Sequence, residues 1–116
     1  MNVNKLINNA LKRTGIPVHS DVEDNGDEEY IVYNYVSEPF ENFSDNIPEN
    51  DYTNLQLHYF SKKNPHATKK RIANLLFTAG FDVAIGATVF ETDTKYYHSV
   101  MDIGIDGVID FTEGGF

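Results

Sequence analysis

The sequence predicts a single α+β domain, in which a mainly antiparallel sheet of about four to five strands carries two α-helices packed on one face. Three observations predict this fold class. The 116 residues have the usual length of one domain. Two segments carry apolar residues at helical spacing, and the segments between and after them are rich in Tyr, Ile and Val, which favour strands. We expect the domain to span residues 1–116.

The first helix is predicted over residues 2–14. Its apolar residues recur every three or four positions, as on one face of a helix. Asn2 is suited to cap its beginning, and Gly15 can adopt the left-handed conformation that ends it. The apolar face consists of Val3, Leu6, Ile7, Ala10 and Leu11.

The second helix is predicted over residues 65–79. Asn64 is suited to be its cap, and Pro65 fits the first helical position because the nitrogen there needs no hydrogen-bond partner. Gly80 is expected to end the helix, and Phe81 to fold back on its last turn. The inner stripe consists of Thr68, Ile72, Leu75, Leu76 and Ala79.

Two strands are predicted at 30–36 and 52–61. The first is apolar on both faces, so we expect the domain's own helices to cover one face and a neighbouring subunit to cover the other. The second alternates Leu55, Leu57 and Tyr59 with polar residues, which is typical of a half-buried antiparallel strand. The polar segment 37–51 between them is predicted to be a long loop.

A C-terminal β-hairpin is predicted around a turn at 91–95. Its first strand should present one face made of Val83, Ile85, Ala87 and Val89, and its second strand should return from Tyr97 onward. Four glycines follow Met101, so we expect residues 102–116 to be irregular.

The charge is strongly negative and unevenly distributed. The formal net charge of −9 argues against a simple binder of nucleic acid or anionic membrane. Acidic residues concentrate at 21–29 and basic residues at 62–71, which suits head-to-tail contact between identical copies. The alternative is two solvated surfaces that never meet. No apolar run resembles a signal peptide or a membrane span, and no cysteine is present, so synthesis in the cytoplasm is expected.

Chemical sites find little support in the sequence. The acidic segment resembles the first half of a calcium loop, but Val32 occupies the position of the essential bidentate glutamate. His58, His98 and Asp102 would form a metal or acid–base site if their strands were neighbours, although isolated histidines on a polar sheet face are more often surface or interface residues. No serine lies in a nucleophile-elbow setting. The sequence therefore predicts no enzyme, no metal and no cofactor.

The order of several motifs resembles the small tail-terminator, tail-completion or head–tail joining proteins of tailed phages and prophages of Gram-positive bacteria. The resemblance extends to about Met101, and the glycine-rich end departs from the closing strand expected for that family. The motifs are TGIPV at 14–18, YIVYNY at 30–35, LQLHYFSKK at 55–63, RIANLLFTAGF at 71–81 and ETDTKYYH at 91–98.

The resemblance implies a ring of about six subunits at the head-proximal end of the tail, within the virion. Such a ring stops growth of the tail tube and meets the tube protein and the head connector, while DNA passes through without specific binding. The residues expected between copies are aromatic or charged: Tyr33, Tyr35, Lys69, Lys70, Arg71, Asp24, Asp27 and Glu28. Those expected to dock the tube or head are Phe40, Phe43 and Asp93.

Two other classes of function stay open from the sequence. An acidic inhibitor that imitates DNA would present its acids along one face at phosphate-like spacing, whereas a third of the acids here fall in one segment. A small hydrolase or metal enzyme has no specific residue in its favour. Assembly of identical copies is therefore the leading hypothesis.

Overall fold

The computed structural model describes residues 3–19, 26–36 and 52–106, and it confirms the α+β class. The sheet has the strand order β1-β2-β3-β5-β4, in which β1 runs parallel to β2 and every other pair is antiparallel. The elements in chain order are α1 (Val3–Lys12), β1 (Val18–His19), β2 (Glu29–Tyr35), β3 (Tyr52–Ser61), α2 (His66–Thr78), β4 (Asp82–Phe90) and β5 (Tyr97–Asp106).

Both ends of α2 follow the prediction. Asn64 caps the helix, since its Oδ1 accepts the His66 N–H at 3.0 Å and Pro65 already has helical dihedral angles. At the other end Gly80 has φ +107°. The Gly80 N–H donates to the Phe77 carbonyl and the Phe81 N–H to the Leu76 carbonyl, which is the paired-bond arrangement that closes a helix.

The main core lies between the helices and one face of the sheet, here called the helix face. Because successive strand residues point to opposite sides, alternate residues of β2, β3 and β5 reach this core. Its buried members are Val3, Ile7, Ala10, Leu11, Ile16, Ile31, Leu55, Leu57, Tyr59, Ile72, Ala73, Leu76, Phe81, Met101, Ile103 and Ile105.

A smaller apolar cluster lies on the other side of the sheet, here called the second face. Tyr30 stacks on Phe60 with ring centroids 4.7 Å apart, and Tyr96 from the turn before β5 packs edge-on against Tyr30. With Val32 these side chains form a buried group. The chain itself therefore covers Tyr30 and Val32 on this face of β2.

A β-bulge divides β4. Ile85 pairs with Met101 and Thr88 with Ser99, so β4 advances by three residues over a stretch in which β5 advances by two. The extra residue places every later side chain of β4 on the opposite face of the sheet from the one that strict alternation would give. Val83 and Ile85 lie on the helix face, but Val89 lies opposite His98 on the second face. The predicted single face of four residues is therefore wrong, because a bulge interrupts the two-residue period.

The last strand continues further than its glycines predict. β5 runs to Asp106, so the expectation of irregular structure is wrong for residues 102–106. Gly104 is buried, and an added Cβ would collide with the ring of Tyr52. That ring crosses β5 at the glycine, and its hydroxyl donates to Asp82 Oδ2 on β4 at 2.7 Å. Gly104 is suited to the strand here because its lack of a side chain makes room for the ring of Tyr52 from the adjacent strand β3.

Candidate functional site

The outer edge of β4 is the most exposed apolar feature of the sheet. No other strand of the described residues pairs with its outer side. Its sequence, DVAIGATVF, contains no lysine, arginine or proline, and its single charge is Asp82 at the start. Ile85, Val89 and Phe90 are 47%, 60% and 42% exposed. Natural edge strands usually carry charges or prolines that prevent pairing with another chain, and β4 has no proline and no charge after Asp82.

The opposite edge of the sheet is formed by β1, which has only two residues. Val18 is 41% exposed there. His19 is held by a contact of 2.7 Å between its Nε2 and Asp27 Oδ2. Three strands separate β1 from β4, so the two edges lie about 19 Å apart at the usual strand spacing.

The predicted basic residues lie on α2 at different depths. Lys69 is half-buried and its Nζ donates to Thr88 Oγ1 on β4 at 3.0 Å. Lys70 is exposed. Arg71 donates from Nη2 to the carbonyl oxygen of Arg13 at 3.0 Å, beyond the C-terminal end of α1. Lys69 therefore gives the β4 side of the molecule a positive charge, while Arg71 links the two helices.

Two of the predicted acidic residues, Asp27 and Glu28, are described and lie on the β1 side. Asp27 contacts His19, and its carbonyl oxygen accepts the Tyr96 hydroxyl at 2.8 Å. Glu28 has an exposed side chain, and its carbonyl oxygen accepts the Lys62 N–H. The structure therefore places these acids and Lys69 at opposite edges of one sheet.

Tyr33 and Tyr35 lie on the helix face, where both hydroxyls reach α1. Each lies 2.8 Å from Oδ1 of Asn4, which is itself buried. Tyr33 also reaches Asn8 Oδ1 at 2.7 Å. Burial raises the pKa of Tyr33, and burial together with Tyr33 raises the pKa of Tyr35 to about 12. α1 therefore contacts both tyrosines within the chain. Their contact with a second copy stays a prediction.

The predicted docking residues are only partly described. Asp93 is exposed in the turn between β4 and β5, where Lys95 adopts φ +66°. Asp24, Phe40 and Phe43 lie outside the described residues, as do the predicted loop 37–51 and all of the calcium-like segment except its glycine.

A chain of three titratable side chains crosses the second face. His58 on β3 and His98 on β5 meet with 2.8 Å between Nδ1 of the first and Nε2 of the second. His98 Nδ1 in turn lies 3.1 Å from Glu91 Oε2. Thr94 donates to the other oxygen of Glu91 at 2.9 Å. The ring of Phe60 stacks on His98 with centroids 4.3 Å apart, which fixes the orientation of the imidazole.

A single hydrogen lies between His58 Nδ1 and His98 Nε2, so only one of these two nitrogens is the donor. When His98 donates to Glu91, its Nε2 accepts from His58, and His58 Nε2 is left as an acceptor. Burial, aided by His98, lowers the pKa of His58, while Asp102 acts in the opposite direction.

The predicted set of His58, His98 and Asp102 is thus assembled in part. The two histidines come together, but Asp102 is exposed and Glu91 takes the carboxylate position beside His98. Within residues 3–19, 26–36 and 52–106, no group of three or more metal-ligating side chains could hold a metal ion.

Sequence reasoning missed Glu91 and the β4 edge. Glu91 lies in a turn, and no sequence pattern places a turn residue beside a histidine seven positions later. The composition of β4 was visible in the sequence, since its nine residues include one charge and no proline. What the sequence lacked was the strand order, which decides whether such a run is central or peripheral.

Comparison of the chain with protein-family models and with curated proteins found no match to either. Among the helices of the described residues, neither is long and apolar enough to span a membrane.

Proposed function

We propose that this protein is a structural subunit of a phage tail, of the tail-terminator or tail-completion type. Copies associate side by side into a ring of about six that ends the tail tube and joins it to the head. The observation that carries the proposal is the exposed apolar outer edge of β4, which no other strand of the described residues pairs with, and the motif resemblance and the net charge of −9 also support it.

The β4 edge favours association because it combines exposed apolar side chains with backbone groups that no other described strand pairs. An added strand would satisfy the outward N–H and C=O groups of β4. Burying the exposed halves of Ile85, Val89 and Phe90 would contribute about 1 kcal/mol each. Together these terms are of the size that holds subunits in an assembly when several interfaces close a ring.

The negative charge fits a channel through which DNA slides. Like charges on the channel wall and the phosphates prevent tight binding. Several described acids are engaged within the chain: Asp27 with His19, Asp82 with Tyr52, and Glu91 with His98. Acids held in separate internal contacts do not form a row at phosphate spacing, so this arrangement does not favour the alternative of a DNA-mimicking inhibitor.

The proposal is tested by light scattering and negative-stain imaging of the purified protein, alone and with polymerising tail tube protein. We expect rings, and we expect tubes that stop growing when the protein is added. Ile85→Lys should weaken association about tenfold or more, whereas Asn9→Lys, which adds the same charge on exposed α1, should not. A protein that stays monomeric under both conditions and leaves tube length unchanged would contradict the proposal.

A further inference from the structure

We infer that the partner of the β4 edge is the β1 edge of a second copy, so that one continuous sheet runs from subunit to subunit. This inference rests on the proposed function only in requiring that copies associate. It adds the two surfaces that meet and the direction in which their strands run.

The strand directions allow this pairing without turning either subunit over. β1 and β2 run the same way, β3 runs opposite, β5 returns to the direction of β2, and β4 is again opposite. When two copies stand side by side in the same orientation, β4 of one therefore meets β1 of the next in antiparallel pairing. The helices of both copies then lie on the same side of the extended sheet.

The two edges also match in apolar exposure. Val18 of β1, beside Ile31 on the helix face, is 41% exposed, and Ile85 of β4 on the same face is 47% exposed. Cross-strand contacts between such side chains stabilise paired strands. β1 is short, so the pairing begins with few backbone bonds and depends on these side-chain contacts.

Charge complementarity favours β1 of a second copy over β4 of a second copy as the partner of β4. Glu29, Ser61, Tyr97 and Phe90 lie in one row across the sheet. Glu28 is next to one end of that row, and Lys69, bound to Thr88, is close to the other. Copies placed side by side thus bring the positive charge of one level with the acids of the next. A pairing of β4 with β4 about a two-fold axis would offer Lys69 a strand whose single acid is Asp82 and would stop at two subunits.

The test uses two variants, each blocked at one edge. The β4-blocked variant carries Ile85→Lys and Val89→Lys, and the β1-blocked variant carries Val18→Lys. All three side chains are exposed, so the substitutions should leave the fold intact, and circular dichroism checks this. We expect each alone to self-associate at least about tenfold more weakly than the wild type. An equimolar mixture should form a one-to-one heterodimer in native mass spectrometry, because each variant keeps the edge that the other needs.

Cysteine cross-linking gives a second readout, since the chain has no cysteine of its own. Val18→Cys mixed with Ile85→Cys should give a covalent dimer with a flexible bismaleimide, because both side chains lie on the helix face, and the chain carrying both should give a ladder. Cross-linking of Ile85→Cys alone, or a β1-blocked variant that forms homodimers while mixing adds nothing, would overturn the inference. Wild-type rings without mixed dimers would overturn the inference alone, whereas a wild type that never associates would overturn the proposed function as well.

Discussion

Replacing Asn4 with alanine removes the acceptor that Tyr33 and Tyr35 share. The Asn4 side chain is 4% exposed, and its Oδ1 lies 2.8 Å from each tyrosine hydroxyl. Both hydroxyls are on half-buried rings under α1, so their loss of this partner should destabilise the fold.

The expected magnitude is about 1 kcal/mol, from the hydrogen bond that Tyr35 loses, because Tyr33 can still donate to Asn8 Oδ1 at 2.7 Å. Alanine is also the better helix former, by about 0.6 kcal/mol, and that gain must be separated from the loss. Asn9→Ala supplies the control, because Asn9 is exposed on the same helix. The difference between the two variants should be about 1 kcal/mol, which corresponds to about 4 °C in Tm for a domain of this length.

Urea and thermal unfolding, followed by circular dichroism, measure this difference. The same substitution made in a chain that also carries Tyr33→Phe and Tyr35→Phe should cost less than about 0.5 kcal/mol, because no hydroxyl is then left to lose its partner. Equal losses in both backgrounds would refute the reasoning, as would an Asn4→Ala variant as stable as Asn9→Ala.

Three further predictions concern pH and the bulge. Burial raises the pKa of Tyr35 to about 12, so its contribution to stability is fully present below pH 10 and is lost as the pH rises through about 12; urea midpoints across this window should fall less steeply for Tyr35→Phe. Burial lowers the pKa of His58, so its contribution is present above pH 6.5 and is lost as the pH falls through the lower folded value; His58→Gln should flatten unfolding free energies measured between about pH 7 and pH 4. Gly86→Ala should cost about 1–3 kcal/mol in chemical unfolding, because its Cβ would lie 2.8 Å from the Val100 carbonyl oxygen, whereas Ala87→Ser beside it should change little.

Local signals predicted the parts of the fold that depend on neighbours in sequence. Asn64 and Gly80 mark the ends of α2 because capping chemistry acts within one helical turn. The predicted bounds of β3 agree with the structure to the residue, since its apolar and polar residues alternate throughout.

The features that sequence patterns missed depend on contacts between distant segments. The bulge at Gly86 needs knowledge of how β4 is paired, because the extra residue is defined only against β5. Tyr96 joins the second-face cluster from a turn, where no periodicity marks burial. For the candidate site, the residue types at β4 were readable, but their exposure was not, because exposure follows from the strand order.

The position of β5 decides when the β4 edge becomes ordered. Its partner β3 lies tens of residues earlier in the chain, and β4 has β5 as its sole neighbour among the described strands. A nascent chain that has made β4 but not yet β5 therefore lacks the strand that orders β4. The association proposed above through the β4 edge must wait for this long-distance closure of the sheet.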